Sequence, residues 1–507
     1  MKIVFVTPTT ALRRFPPYRL GGKIYGQINS ITGPLILGGI LKRAGHSVSV
    51  YEELNGKLDE KELLQADVVC LYTMTSTAPR AYELADLIHE KGKGRVIIGG
   101  MHATALPEEA LQHADTVIAG EGEEIILDVV EGRRAERIVS AEPICDLDRI
   151  PFPDYSILKT PVVAANILTT RGCPFRCTFC TTSRMFAPYR QRSVENVLEE
   201  IRMYKKMGFR YMNFEDDNFT ADKERAKAIC RGMIREHLQF KETFFFGRTD
   251  MAKDEELLDL LKEANLTRIL IGIESLNQAS LDLVNKHQNI DDIRKAAEAC
   301  EKHGIRMIAS IVLGLDTDHA KDIHRTVEFA KSINAYQLQP AILTPFPGTP
   351  VYEQYTKEGR MLPVSWEAHD LMNVTFLPKN FTPWELQDEF YKAAIRFYDF
   401  KSIGRIRKAF GMEYALRRFG LAVIARLGSW GARFCSLHVP GTIYYFLRQN
   451  RFFAGKSNER ALAVKKADSR KKKLKDNSKR AVRMIGSLFI FARLIGFANR
   501  YRKEKSR

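Results

Sequence analysis

The chain has 507 residues, 45% of them hydrophobic and 10% aromatic, which is too long for one ordinary domain and too apolar for a disordered or fibrous protein. The net charge of +17 is unevenly spread: from Lys401 to the end there are 28 Lys+Arg against 5 Asp+Glu, whereas residues 1–400 hold 50 basic and 56 acidic residues. A slightly acidic body thus carries a strongly basic C-terminal quarter, and eight cysteines are too sparse for a secreted disulfide scaffold.

The N-terminus, MKIVFVTP, has no apolar stretch long enough for a signal peptide. Strand candidates follow at Lys2–Thr7, His46–Tyr51, Asp67–Tyr72, Arg95–Gly99 and Thr116–Ala119, each short and rich in Val and Ile. Amphipathic stretches such as Leu35–Ala44 and Pro79–Lys91 lie between them. This alternation predicts a doubly wound, Rossmann-like parallel sheet over residues 1–140. Ligands of such sheets bind at the carboxyl ends of the strands. Here those ends carry Thr7-Pro8, the hydroxyl run Thr73–Thr77, Gly99-Gly100 and Gly120–Gly122.

Residues 141–160 contain Pro143, Pro151 and Pro153 without periodicity and read as a linker. Over 161–375 the alternation resumes, with strands expected at Asn166–Thr170, Tyr211–Phe214, Thr243–Gly247, Arg268–Ile273, Met307–Leu313 and Ala335–Leu343. Six βα units make a partial or full barrel, whose chemistry sits on the loops after the strands. Residues 376–507 lack this alternation and read as a basic, mainly helical region in which arginines mix with Phe410, Tyr414, Phe419, Tyr444, Phe446, Phe452 and Phe453, followed by the lysine-rich stretch 465–483. No uninterrupted run of about 18 apolar residues occurs. The nearest candidates, around 419–446 and 485–498, are broken by Arg426, Arg433 and Arg493. A reducing, cytoplasmic setting is expected.

The strongest chemical feature is TTRGCPFRCTFCTTS, a Cys-x3-Cys-x2-Cys loop directly after a strand. Three thiolates on one loop can hold a metal centre; zinc would want a fourth ligand, and no Cys or His closely follows Cys180. A four-iron cluster held by Cys173, Cys177 and Cys180 leaves one iron open to a small molecule. With Phe179 before the third cysteine, the motif resembles the signature of the radical S-adenosylmethionine superfamily. That resemblance implies a [4Fe-4S] cluster whose open iron is chelated by S-adenosylmethionine, an electron donor such as flavodoxin or ferredoxin, and a 5′-deoxyadenosyl radical as product of the cleavage.

Carried over by position, Phe179, Glu215 and Asp216 in the row Phe214–Asp217, Arg248 in FGRTD, Glu274 in IGIES and Gly314 after ASIVL match the family's contacts to S-adenosylmethionine. Each could equally be a structural residue at a strand end. Residues 1–140 resemble the cobalamin-binding domain that precedes the barrel in one branch of the superfamily, on the stretches VVCLYTMTST, VIIGGMHAT and VIAGEGEE. The implied cobalamin contacts are Thr73, Thr75, Ser76, Gly99, Gly100 and Gly120. The Asp-x-His-x-x-Gly motif that supplies a lower cobalt ligand in many such domains is missing, and His46, His102 and His113 stand in other contexts.

The branch includes anaerobic Mg-protoporphyrin ester cyclase and hopanoid and tetrapyrrole methylases. The function implied is C-methylation of an unactivated carbon in an apolar lipid or tetrapyrrole-like substrate. A radical cyclisation or rearrangement is the enzymatic alternative, and a non-catalytic cobalamin- or metal-binding membrane module the alternative of another class. RNA-modifying methylthiotransferases carry additional N-terminal cluster cysteines that are missing here. The basic tail fits an anionic membrane surface, with its aromatics dipping below the headgroups, better than nucleic acid or a packed helical cap. It would hold the protein peripherally at the inner membrane face.

Overall fold

Strand β1 (Lys2–Thr7) sends Ile3 and Phe5 into one core and Val4 and Val6 into another, all of them buried. The same division recurs in β3 (Val68–Tyr72), where Val68 and Cys70 face one way and Val69 and Leu71 the other. Successive side chains leave opposite faces of a strand, so continuous Val/Ile runs are what a sheet covered on both sides requires. With β2 (Ser47–Glu52), β4 (Arg95–Gly99), β5 (Thr116–Ala119) and β6 (Ile138–Ser140) they form one sheet in the order β2-β1-β3-β4-β5-β6, parallel throughout. Chain direction across the sheet reverses between β1 and β3, which creates the crevice where such sheets bind ligands. The computed structural model describes residues 1–10, 30–438 and 442–449.

The second sheet contains β7 (Ala164–Ile167), β10 (Tyr211–Phe214), β11 (Glu242–Gly247), β12 (Arg268–Glu274), β13 (Arg306–Leu313) and β14 (Gln337–Ile342), in sequence order and all parallel. In β13, Met307, Ala309, Ile311 and Leu313 are buried against the outer helices, while the alternate residues Ile308, Ser310 and Val312 are only half-buried. Phe244, Phe246 and Leu270 repeat that half-exposure on β11 and β12. The concave side of this partial barrel is therefore open and largely apolar.

The fold class is the expected one, α/β in two parallel sheets followed by a helical region. Three short strands were not foreseen. One is β6, three residues long and set among charged neighbours. The other two arise because the expected strand Asn166–Thr170 is broken. Asp216 accepts hydrogen bonds from the Thr169 and Thr170 amides (2.6 and 2.8 Å) and the Thr169 hydroxyl (2.6 Å), which draws the chain off the sheet after Ile167. It re-forms as β8 (Thr170–Arg171), antiparallel to β9 (Arg190–Gln191).

The C-terminal region packs helices Pro383–Phe397, Ser402–Phe410, Met412–His438 and Ile443–Gln449 beside the last barrel strand. Tyr398 caps that edge, its hydroxyl donating to the Leu338 carbonyl (2.7 Å) and accepting from the Leu338 amide (3.1 Å). Phe452, Phe453, the lysine-rich 465–483 stretch and the apolar stretch near 485–498 lie outside the described residues. No helix among the described residues is long and apolar enough to cross a membrane.

Candidate active site

The path of the cysteine loop is set by contacts that do not involve the thiols. Gly172 has φ +76°, and a Cβ there would stand 2.5 Å from the Phe186 carbonyl oxygen, so only glycine fits the entry to the loop. Beyond it, the Thr178 amide donates to the Val284 carbonyl (3.1 Å) and Asn285 Nδ2 to the Arg176 carbonyl (3.0 Å). Cys177 is buried, whereas Cys173 and Cys180 are partly exposed at the rim. None of the eight cysteines is paired in a disulfide.

Burial pushes the Cys173 thiol up to about 11, with Asp217 and Cys180 adding to the shift and Arg248 opposing it. Burial also raises Cys177, against the pull of Lys286 and Arg248. These couplings draw the triad, Asp217, Arg248, Glu274 and Lys286 into one site. Buried thiols of this kind are held as thiolates only when a metal binds them. Among the described residues no set of three His, Cys, Asp or Glu side chains closes tightly enough for a single ion. Three thiols on one loop suit a four-iron cluster with one iron left open, whereas a structural zinc site would need a fourth ligand.

Two domain models match the chain: the B12 binding domain over residues 25–130 and the radical SAM superfamily over residues 167–330. The chain is a cobalamin-binding radical SAM enzyme. Among curated relatives, an uncharacterized methyltransferase of Pyrococcus horikoshii is 28% identical over 78% of this chain and 92% of its own length. The bacteriochlorophyllide d C-8(2)-methyltransferase of Chlorobaculum tepidum is 27% identical over 66% and 79%. The anaerobic magnesium-protoporphyrin IX monomethyl ester cyclase of Cereibacter sphaeroides is 26% identical over 85% and 78%. Among solved structures, the cobalamin-dependent S-adenosylmethionine radical enzyme OxsB has a TM-score of 0.63 at 14% identity, covering 100% of this chain and 81% of its own. The radical S-adenosylmethionine methyltransferase TsrM of Kitasatospora setae has 0.61 at 15%, covering 85% and 99%. These two likenesses establish the shared fold.

In this radical SAM enzyme the expected S-adenosylmethionine contacts have diverse surroundings. Asp216 is fully buried and both its oxygens accept from Thr169 or Thr170, so it shapes the strand break. Its two neighbours are different. Burial raises Glu215 to about 7 and Asp217 to about 6, with the Asp216 charge adding to both. Asp217 is the carboxylate of this row whose charge acts on Cys173.

Arg248 stacks on Phe175 of the cysteine loop at 3.7 Å and donates to the carbonyls of Lys286 and His287. Glu274, at φ +61°, is buried and accepts from Lys286 Nζ at 2.5 Å. A Cβ on Gly272 would lie 2.2 Å from Glu274 Oε1, so that glycine makes room for the pair. Arg248 and Glu274 therefore stand at the site with protein partners already in place. Gly314 has a packing reason to be glycine: at φ +90°, its Cβ position meets Leu386 at 2.5 Å and Phe376 at 3.4 Å. Phe179 packs at the edge of the core. Phe175 and Lys286 were not singled out from sequence, Asp217 entered only as the end of the acidic row, and Lys286 sits in a stretch without any recognisable motif.

In the B12-binding domain, Thr73 is fully buried, donates to the Gly99 carbonyl (2.8 Å) and accepts from the Ala103 amide (3.2 Å). Gly100 and Gly120 both have positive φ, and a Cβ on either would stand 2.7 Å from the Thr73 oxygen or 2.5 Å from the Ala141 oxygen. Thr75 and Ser76 lie on the 3-10 turn above, and Gly99 ends β4. The rim thus has small or absent side chains, against which a broad flat ring such as a corrin fits. His46, His102 and His113 are each paired with a carboxylate, Glu131 (3.2 Å), Glu109 (3.2 Å) and Asp86 (2.8 Å), in keeping with the missing cobalt-ligand motif.

The two domains are joined next to the cysteines. Glu121, from the loop after β5, accepts from Arg190 (2.5 and 2.9 Å) and from the Ile144 amide (2.9 Å), and pairs with Arg171 (2.8 Å). Arg171 also binds Glu123. Burial alone would raise the Glu121 carboxyl, but Arg190 and Arg171 hold it below the usual carboxylate range. Arg171 is two residues from Cys173, and Arg190 lies on the strand paired with it.

Proposed function

We propose that this radical SAM enzyme is a cobalamin-dependent C-methyltransferase acting on an unactivated carbon of an apolar, tetrapyrrole-like substrate. The observation that carries the proposal is the Glu121–Arg171–Arg190 network, which ties the loop after a B12-domain strand to the segment entering the cysteine loop. When bound, the cluster with S-adenosylmethionine supplies hydrogen abstraction and cobalamin supplies the methyl group. Cys173, Cys177 and Cys180 would hold the cluster. Phe244, Phe246, Leu270, Ile308 and Val312 on the open side of the barrel would exclude water and receive an apolar substrate. Methylation of a macrocycle is favoured by the bacteriochlorophyllide methyltransferase relatives. Oxidative cyclisation is the second reading, favoured by the cyclase relative that covers 85% of this chain.

Anaerobic reconstitution with iron, sulfide, reductant and S-adenosylmethionine should yield 5′-deoxyadenosine, and about one cobalamin per chain should be bound by absorbance. No 5′-deoxyadenosine would reject the radical reading, and no bound cobalamin the methyl-transfer reading.

Glu215 and Asp217 would hold the ammonium of S-adenosylmethionine, because an ammonium needs acceptors. Both carboxyls are raised, so each is largely neutral at pH 5 and ionised at pH 8. A cation binds the ionised form better, so affinity should rise with pH. The Kd for S-adenosylmethionine is expected to tighten about tenfold between pH 6 and pH 8. The E215Q/D217N double variant should flatten that profile; an unchanged profile would remove the assignment.

A further inference from the structure

The helix Met412–His438 is inside out for a water-soluble protein. Its buried positions are Arg418, which donates to backbone carbonyls, and otherwise only small residues such as Ala415, Ala422, Ala432, Cys435 and Ser436, whereas Met412, Leu416, Phe419, Trp430 and Leu437 are 40–54% exposed. Residues 412, 416 and 419 repeat as 430, 434 and 437 five turns on, so the large apolar side chains fall on one stripe. Phe400, 46% exposed, extends the stripe by packing on Phe419 at 5.6 Å. Soluble helices bury their large apolar residues; this one presents them.

The surroundings of the stripe define what covers it. Lys401, Arg405, Arg407 and Lys408 are exposed on and just before the adjoining helix and have no ion-pair partner among the described residues. The sole acidic residue of 401–449, Glu413, is already paired with Arg417 at 2.8 Å. In composition alone, residues 450–507, outside the described residues, carry 19 Lys+Arg against 4 Asp+Glu. A second copy seated on this face would set cation against cation. A nucleic acid would find phosphate partners but no use for a row of Met, Leu and Phe. An anionic bilayer answers both features, with headgroups for the basic rim and an acyl boundary for the apolar row, and Trp430 at the depth where tryptophan is enriched.

We infer that the face formed by Phe400, Met412, Leu416, Phe419, Trp430 and Leu437, with its basic rim, is a docking surface for an anionic membrane, on which the protein lies without crossing. The inference rests on this face alone and stands apart from the chemistry proposed above.

Flotation of the anaerobically purified full chain with equimolar phosphatidylcholine/phosphatidylglycerol vesicles tests it. The chain should float at low salt, detach substantially at about 0.5 M salt as screening shortens, and float weakly with phosphatidylcholine alone. Trp430 emission should shift to the blue on binding, a shift missing in W430F. The L416E/F419E/W430E variant should lose at least about tenfold in vesicle binding while keeping its cluster absorbance and 5′-deoxyadenosine formation. Equal flotation of that variant would overturn the inference, as would failure of the wild type to float. A wild-type dimer in solution that the variant splits into monomers would assign the face to a second copy instead.

Discussion

Joint replacement of Cys173, Cys177 and Cys180 by alanine is expected to remove iron and sulfide binding and to lower 5′-deoxyadenosine formation by at least about a thousandfold, while leaving both sheets folded. The reason lies in how the loop is held. Gly172, the Thr178 amide and the Asn285 side chain fix its path through bonds that do not involve sulfur, so the thiols can be removed without unthreading it. Single replacements should be graded. Cys177 is the buried member and the anchor, and its loss should abolish the cluster outright. Anaerobic absorbance near 400 nm and iron analysis read cluster content, and far-ultraviolet circular dichroism reads the fold. A triple variant that keeps its iron would show that another set of ligands holds it.

Replacing Glu121 by alanine is expected to cost about 3–5 kcal/mol of stability, the usual consequence of removing one member of a buried charge network. Arg190 and Arg171 are 7% and 13% exposed at their side chains, so without the carboxylate the Arg190 guanidinium is left unpaired in a poorly solvated junction while Arg171 keeps only Glu123. Glu121→Gln should do less harm, because the amide oxygen can still accept from Arg190 and the Ile144 amide. Guanidinium denaturation gives the stability difference, and faster proteolysis within 141–160 would report that the domains have parted. A loss under about 1 kcal/mol would mean that solvent reaches the pair, as at ordinary surface bridges.

Much of this architecture is legible in the sequence, for an identifiable reason. Eleven strands were anticipated, and the five of the first sheet are compact Val/Ile-rich runs because a sheet buried on both faces demands them without interruption. The cysteine triad is equally plain, since its spacing is local. What stayed hidden depends on partners distant in sequence. Nothing around Thr169 announces that Asp216 will break a strand there. In the acidic row Glu215, Asp216 and Asp217 look interchangeable, yet one accepts from backbone amides and one acts by its charge on Cys173. The glycines at 99–100, 120 and 314 were read as ligand approaches. For Gly100, Gly120 and Gly314 the structure gives a nearer cause, a backbone atom or a side chain occupying the place of a Cβ. The amphipathic character of 412–438 was visible as composition, but which side it buries was not.

The link between Asp216 and the residues just before the cysteines has a consequence for biogenesis. The carboxylate that sets the path into that loop is supplied from 47 residues farther along the chain. A nascent polypeptide released only as far as Cys180 has the sulfurs but not the brace. Metal insertion should therefore wait until β10 has docked beside β7, which makes maturation of the centre an event that follows assembly of the barrel rather than one that nucleates it.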